Sequence, residues 1–169
     1  MTKFKARILS VLTLIALLSP FVASAGARVT VGVRGGFTTT HDAPLAGLFL
    51  QYRFSSHFRL AADVDYYFKH NGVDAFAFNL DAHAPFTIVP GKLTVYPLVG
   101  ASLTSWNLPA AEVESDDDSS SRRNRVGVNV GGGVEYRITD NTKIGFEAKY
   151  SAVRHYDGGI FSLSLGYCF

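Results

Sequence analysis

The sequence predicts an all-β fold: an eight-stranded antiparallel barrel whose strands follow one another in up-and-down order. From residue 28 onward, apolar and polar residues alternate in one segment after another, and no stretch has a clear 3.6-residue apolar period. Short clusters of Gly, Pro, Ser, Asn and Asp separate these segments, as turns do between strands. The number of alternating segments is eight, and an even number is typical of single-chain barrels that close by hairpins.

The first 25 residues differ from the rest and have the pattern of a secretory signal peptide. An apolar run over residues 8–18 and a small-residue stretch over residues 23–25 follow a basic start formed by Lys3, Lys5 and Arg7. A membrane-spanning helix needs about 20 apolar residues, so this shorter run does not fit one. We predict a signal peptide over residues 1–25, cleaved after Ala25 or, by a second match, after Ala27, and one barrel domain over residues 26–169.

Removal of the signal peptide changes the net charge. It contains three of the 16 basic residues and none of the 14 acidic ones, so the mature chain has 13 basic against 14 acidic side chains. The remaining basic residues are scattered rather than gathered on one face, which argues against nucleic acid as a partner. Cys168 is the single cysteine, so it cannot form an internal disulfide and is interpreted as a small half-buried residue.

The first four predicted strands cover residues 29–37, 48–54, 58–68 and 76–84. Each has one apolar face and one face of polar or small residues, because side chains point alternately to the two sides of a strand. Their apolar faces are Val29, Val31 and Val33; Leu48, Leu50, Tyr52 and Phe54; Phe58, Leu60, Ala62, Val64, Tyr66 and Phe68; and Phe76, Phe78, Leu80, Ala82 and Ala84.

The last four predicted strands cover residues 92–105, 126–138, 144–152 and 161–169. The fifth is apolar on both faces, so its orientation is ambiguous, and we favour Val99, Ala101 and Leu103 as outward-facing. The other apolar faces are Val126, Val128, Val130, Val134, Tyr136 and Ile138; Ile144, Phe146, Ala148, Tyr150 and Ala152; and Phe161, Leu163, Leu165, Tyr167 and Phe169.

Three features favour a barrel in a membrane over a soluble sandwich, which also alternates. Aromatic residues such as Tyr52, Phe54 and Phe58 gather at strand ends, where a membrane has its headgroups. Glycines alternate with charges of both signs on the polar faces, as a narrow interior requires. The third feature is that the chain stops on an aromatic residue, Phe169. An open sheet edge in lipid would leave backbone groups unpaired at several kcal/mol each, so the sheet is predicted to close into a transmembrane barrel.

The Gly-rich segment 126–136, the segment 96–101 and the terminal residues 166–169 resemble the small outer-membrane β-barrel family, with its porin-like and OmpA-type transmembrane domains. The resemblance implies a place in the bacterial cell outer membrane, among its lipid and lipopolysaccharide. It also implies recognition by the barrel-assembly machinery, through the terminal stripe Phe161, Leu163, Leu165, Tyr167 and Phe169. Because the sequence ends at the last strand, we expect no C-terminal peptidoglycan-binding domain.

The predicted connections alternate between the two sides of the membrane. With a periplasmic N-terminus, the outer connections are residues 38–44, 69–72, 106–124 and 154–158. The periplasmic turns are then residues 55–57, 85–91 and 139–142. Longer connections outside and shorter ones inside are typical of outer-membrane barrels, and this chain follows that rule moderately well.

The predicted inward positions carry five basic and five acidic residues: Arg34, Arg53, Arg59, Asp63, Asp65, Asp81, Glu135, Arg137, Glu147 and Lys149. Equal numbers favour ion pairs that fill the lumen, because an unpaired buried charge costs several kcal/mol. An ion path is the alternative, but eight strands leave an interior just wide enough for side chains. Asp63 and Asp65 are accordingly interpreted as members of this network rather than as an acid/base pair.

The connection 106–124 is the longest and the most highly charged. We predict surface contacts through Asp116, Asp117, Asp118, Arg122 and Arg123, because arginines can take lipopolysaccharide phosphate and an acidic run can hold Ca²⁺. A solvated surface loop without a ligand is the alternative.

No catalytic residue, metal site or cofactor is expected. The five histidines are dispersed without ligand spacing. The stretch 154–158 is similar to the His-Tyr-Ser-Asn motif of outer-membrane lipid A deacylases, but Asp157 stands where that resemblance would place the serine nucleophile. The sequence therefore predicts a structural or surface-interaction, adhesion-like protein with an unidentified host or surface ligand; the alternatives are a small porin-like channel and a lipid-modifying enzyme.

Overall fold

A computed structural model describes residues 28–39, 42–70, 73–107, 122–153 and 157–169. The predicted signal peptide, the acidic residues Asp116 to Asp118 and the histidine at position 155 lie outside the described residues. The side chains of Arg122 and Arg123 also lie outside them, although their backbone belongs to a strand.

The described residues form one antiparallel sheet. Its strands are β1 (Val29–Thr38), β2 (Ala43–Arg53), β3 (Arg59–His70), β4 (Val73–His83), β5 (Phe86–Val89), β6 (Leu93–Asn107), β7 (Arg122–Arg137), β8 (Thr142–Val153) and β9 (Gly158–Cys168). β1 pairs with both β2 and β9, and β4 pairs with β6, so the sheet closes on itself. β4 and β5 run one after the other along β6 and count as one strand of the barrel. The predicted fold class, an eight-stranded up-and-down barrel, is confirmed.

β5 corrects the predicted turn over residues 85–91. Phe86 pairs with Val95 in the same register in which His83 pairs with Leu98, so β5 continues β4 along β6. Pro85 interrupts the strand because it has no N–H to donate to the ladder, which is why this stretch resembles a turn in the sequence. The actual turn is at residues 90–92, where Gly91 adopts a positive φ of 74°.

The apolar faces point away from the lumen, as predicted. Leu163 and Val126 are 68% and 73% exposed on the outer surface, whereas Asp65 on the inner face is fully buried. The orientation favoured for the fifth predicted strand is also confirmed, since Val99 and Leu103 are exposed. An apolar exterior around a polar, buried interior is the arrangement that a bilayer requires.

Aromatic rings form clusters near both ends of the barrel. At the end that holds Arg28 and Phe169, here called the terminal end, Tyr52 packs edge-on against Phe54 at 4.7 Å and Tyr167 against Phe169 at 4.9 Å. At the opposite end, called the loop end, Tyr66 packs edge-on against Phe68 at 5.4 Å. Rings at both rims suit the two interfaces of a membrane.

β6 and β7 are the longest strands, with 15 and 16 residues. Residues 122–126 of β7 pair with β6 beyond the last pair of β7 with β8, which joins Gly127 to Val153. The hairpin therefore continues for roughly 16 Å of strand beyond the described end of β8, while β4 pairs with β6 as far as Asn107. Among the described residues, no helix is long and apolar enough to cross a membrane.

Candidate functional site

Six charged side chains of the lumen lie opposite glycines on the neighbouring strands. Arg34 and Asp65 both pair with Gly47, and Asp81 pairs with Gly100. A Cβ atom at Gly100 would lie 2.1 Å from an Asp81 carboxylate oxygen and 2.3 Å from a backbone carbonyl oxygen. The same pairing occurs for Lys149 with Gly131, Glu147 with Gly133 and Glu135 with Gly145. The glycines thus provide the space in which long charged side chains cross a narrow interior.

Six of these residues form the central cluster: Arg34, Asp63, Asp65, Asp81, Glu147 and Lys149. Arg34 reaches across the barrel to three carboxylates, with N–O distances of 3.1 Å to Asp63, 2.9 Å to Asp65 and 3.4 Å to Glu147. Its side chain is almost entirely buried. Arg34 therefore links strands β1, β3 and β8 through charge-assisted hydrogen bonds.

Lys149 is the second cation of the central cluster. Its Nζ lies 2.9 Å from Asp81, 3.7 Å from Asp63 and 3.8 Å from Glu147, and its side chain has no solvent exposure. The cluster thus joins two cations to four carboxylates. Removing either cation would leave several buried negative charges facing one another.

Neutral donors add hydrogen bonds to the central cluster. Asn79 donates to Asp63 at 2.6 Å and to Asp65 at 3.2 Å, and Asn129 donates to Asp81 at 2.9 Å. Tyr96 donates its hydroxyl to Glu147 at 3.0 Å. The central cluster has four carboxylates but only two cations. These neutral donors provide hydrogen bonds that the two cations alone do not supply, and buried charged groups need such partners. Asp63 and Asp65 share Arg34 and Asn79.

A second group, the terminal cluster, lies closer to the terminal end and consists of Arg59, Glu135 and Lys143. Glu135 accepts from Arg59 at 2.7 Å and from Lys143 at 3.0 Å, and Lys143 also donates to the amide oxygen of Gln51 at 2.6 Å. The predicted set of inward charges omitted Lys143. Its place two residues before Gly145 on the inward face of β8 was the signal that could have identified it.

His83 and Tyr96 pack between the two clusters. Their rings are stacked with centroids 4.5 Å apart, and the Arg59 guanidinium lies 4.5 Å from the centre of the Tyr96 ring. Nδ1 of His83 accepts a hydrogen bond from Nε of Arg59 at 3.2 Å. A cavity of only about 20 Å³, lined by Arg34, Glu147, His83 and Tyr96 among others, remains in this part of the lumen.

Arg53 and Arg137, two of the ten predicted network members, lie apart from these ion pairs. The other eight belong to the central or the terminal cluster. Arg53 and Arg137 are half-buried and line a second cavity, of about 170 Å³, at the terminal end. Within the described parts of the chain, no carboxylate forms an ion pair with either of them.

At the loop end, Asp157 accepts a hydrogen bond of 2.5 Å from the Tyr150 hydroxyl. This bond lowers the pKa of the Asp157 carboxyl, which is fully exposed to solvent. The carboxylate that the resemblance to the deacylase motif aligns with its serine therefore forms a hydrogen bond with a tyrosine hydroxyl. In the described ranges, no group of three or more His, Cys, Asp or Glu side chains is arranged to hold a metal ion.

The sequence matches the outer membrane protein beta-barrel domain family over residues 8–169. This chain belongs to that family. It is therefore an outer-membrane barrel, and the apolar surface described above lies in the lipid of that membrane. A search of curated protein sequences finds no significant match.

Solved outer-membrane barrels share the fold at low sequence identity. The N-terminal β-barrel domain of Pseudomonas aeruginosa OprF has a TM-score of 0.67 and 22% identity, covering 85% of this chain and 98% of that one. Neisserial surface protein A has a TM-score of 0.65 and 17% identity, covering 83% and 96%. Ail, the attachment invasion locus protein of Yersinia pestis, solved with the heparin analogue sucrose octasulfate, has a TM-score of 0.59 and 17% identity, covering 84% and 97%.

Proposed function

We propose that this outer-membrane barrel is a closed anchor that presents its loop end for binding at the cell surface, conducts no solute and catalyses no reaction. The observation that carries the proposal is the filled lumen. The central cluster bridges strands from opposite sides of the barrel, and about 20 Å³ of space remains beside it. A cavity of that size holds about one water molecule, so a hydrated ion does not fit.

An ion that crossed the barrel would have to separate these pairs. Arg34 and Lys149 are buried and each contacts three carboxylates, so displacing either costs several kcal/mol. The cavity at the terminal end gives the channel alternative one supporting feature, because it admits solvent into part of the lumen. The central cluster lies beyond that cavity and blocks a continuous path.

The proposed binding region is the extended β6–β7 hairpin with the connection 106–124. β6 and β7 stay paired beyond the last described pair of β7 with β8, which gives this connection a structured base at the loop end. Arg122 and Arg123 supply guanidinium groups suited to bidentate bonds with phosphate or sulfate. The Ail complex with a sulfated sugar supports a polyanionic ligand on this fold. For this chain we propose lipopolysaccharide phosphate as the ligand. We also propose that the run Asp116 to Asp118 binds divalent cations that bridge to this phosphate.

Planar-bilayer recording tests the closed lumen. The unmodified protein is expected to give no steady openings. The double variant Asp81→Ala/Lys149→Ala removes a cation and its own carboxylate, keeps the charge balance and opens space, so its leak current should rise. Arg28→Ala/Asp140→Ala is a neutral control, because both residues are exposed at the terminal end. Large steady openings in the unmodified protein would contradict the proposal and favour a small channel.

Surface binding is tested with immobilised lipopolysaccharide. Arg122→Gln/Arg123→Gln should weaken binding by at least about tenfold, as expected for lost charge-assisted hydrogen bonds. Arg28→Gln removes an exposed charge at the opposite end, outside the lining of the terminal-end cavity, and should leave binding unchanged. If both variants weakened binding equally, the loss would come from net charge and not from a binding site at the loop end.

The proposal that the barrel is not an enzyme is supported by the engagement of Asp157 with Tyr150. Lipid A from cells that express the protein should keep its full set of acyl chains in mass spectra. Loss of an acyl chain, abolished by substitution of His155, would establish the lipid-modifying alternative.

A further inference from the structure

The cavity of about 170 Å³ opens at the terminal end, inside the ring of turns. It has room for about five water molecules, or for one phosphate-sized group with water around it. Its walls carry the side chains of Arg53, Arg59, Lys92, Arg137 and Lys143, and one carboxylate, that of Glu135. A small cavity with five cations and one anion is strongly positive.

Two of the five cations are buried members of the terminal cluster, and the other three are half-buried or exposed. Arg59 and Lys143 are buried, and both already share Glu135. Arg53 lies directly across from Arg59 in the β2–β3 ladder, and Arg137 lies directly across from Lys143 in the β7–β8 ladder. Like charges at directly opposed positions destabilise a sheet. Two such pairs therefore face one cavity from two sides of the barrel.

Glu135 pairs with only one member of each like-charge pair, Arg59 and Lys143, and leaves the other members without a described carboxylate. Arg137 donates weakly to the backbone carbonyl of Asp140 at 3.5 Å, and the described residues supply no carboxylate to Arg53, Arg137 or Lys92. An anion in the cavity would lie among all five cations and convert both repulsive pairs into bridges. The hydroxyls of Thr87 and Thr94, which also line the cavity, add neutral hydrogen-bond donors.

We infer that the terminal-end cavity is a binding site for a phosphate group, with Arg53 and Arg137 as its main ligands. Two N–H donors of a guanidinium group match two oxygens of a phosphate. Arg59 and Lys143 are already paired with Glu135, whereas Arg53 and Arg137 have no carboxylate partner among the described residues. The phosphate is either a free oxyanion or the headgroup of an anionic phospholipid that reaches the rim of the barrel. This site lies at the opposite end from the proposed lipopolysaccharide contacts and does not depend on them.

Isothermal titration calorimetry with inorganic phosphate, on the barrel folded in zwitterionic micelles, tests the site. Binding should weaken by at least about tenfold in Arg53→Gln and in Arg137→Gln. Arg28→Gln is the matched control, because Arg28 is an exposed cation at the same end that does not line the cavity. It should leave the affinity unchanged, and rising NaCl should weaken binding to the unmodified protein.

A stability measurement separates a binding role from a purely structural one. Without phosphate, Arg53→Gln should unfold at higher urea concentration than the unmodified barrel, because one like-charge pair is gone. With phosphate, the unmodified barrel should gain stability by mass action and the variant should not. A variant that is less stable without phosphate would show that Arg53 has a structural partner, and would overturn the inference.

The source of the phosphate is decided by a second titration, with vesicles of phosphatidylcholine alone or with added phosphatidylglycerol. Binding of free phosphate locates the ligand in the aqueous phase. A response only to phosphatidylglycerol, lost in Arg53→Gln and kept in Arg28→Gln, identifies a lipid headgroup. The inference fails if neither ligand binds, or if Arg28→Gln lowers affinity as much as the cavity variants.

Discussion

Replacing Lys149 with methionine removes the buried cation that pairs with Asp81 and keeps most of the side-chain volume. Lys149 has N–O distances of 2.9, 3.7 and 3.8 Å to three carboxylates. At an effective dielectric constant of about 20, these contacts sum to roughly 15 kcal/mol of gross attraction. Repulsion from Arg34 and the cost of burying an ammonium offset most of it. The net loss expected on breaking a buried ion pair is about 3–5 kcal/mol.

Urea unfolding in lipid vesicles measures this loss, with the fluorescence of Trp106 and heat-modifiable gel migration as independent readouts. Glu147→Gln is the matched control from the edge of the same cluster. Glu147 is 12% exposed, its amide replacement can still accept from Tyr96, and both cations keep other carboxylates. The control should lose only about 1 kcal/mol.

The double variant Lys149→Met/Asp81→Asn removes both partners of the shortest of these ion pairs. It should recover much of the loss, because the carboxylate left unpaired by the single change is gone. A Lys149→Met barrel within about 1 kcal/mol of the unmodified protein would refute the reasoning. In that case the central cluster would not hold the lumen closed by charge.

Three further predictions concern other parts of the barrel. Gly100→Ala should destabilise it by about 1–3 kcal/mol, because the new methyl group would clash with Asp81 and a backbone carbonyl. Gly35→Ala is the control and should be tolerated, because its methyl group would contact one atom at 3.7 Å. Equal urea midpoints for the two variants would contradict this prediction. Deleting Phe169, whose N–H donates to Val29 across the closing seam, should lower outer-membrane yield, and an unchanged yield would show that the terminal residue carries no assembly signal. Tyr150→Phe should raise the pKa of Asp157 in an NMR titration, since the hydrogen bond that lowers it is lost; an unchanged pKa would show that the bond does not form.

Strand faces could be predicted because they depend on a local property. Side chains alternate along any strand, so the outward places of Val126 and Leu163 follow from the sequence order alone. The same parity placed Arg34, Asp63 and Lys149 inside the barrel. The predicted turn at Pro85 was wrong, because a missing backbone donor has the same appearance in the sequence as a turn.

The partners of each charge could not be predicted, because they depend on strand register and tilt. Arg34 meets Glu147 although 113 positions separate them in the chain. Arg53 and Arg59 have the inward parity of the other charges, yet the β2–β3 register places them opposite each other rather than opposite carboxylates.

The sequence by itself therefore determined the fold class, most of the inward charges and the apolar exterior, because these follow from a two-residue repeat and an even number of strands. The tertiary structure decided which charges neutralise one another and which remain as a positive cavity at one end. The physical reason is that ion pairing depends on distances of a few ångströms across the barrel. Those distances are set only when the sheet closes with one particular stagger between its strands.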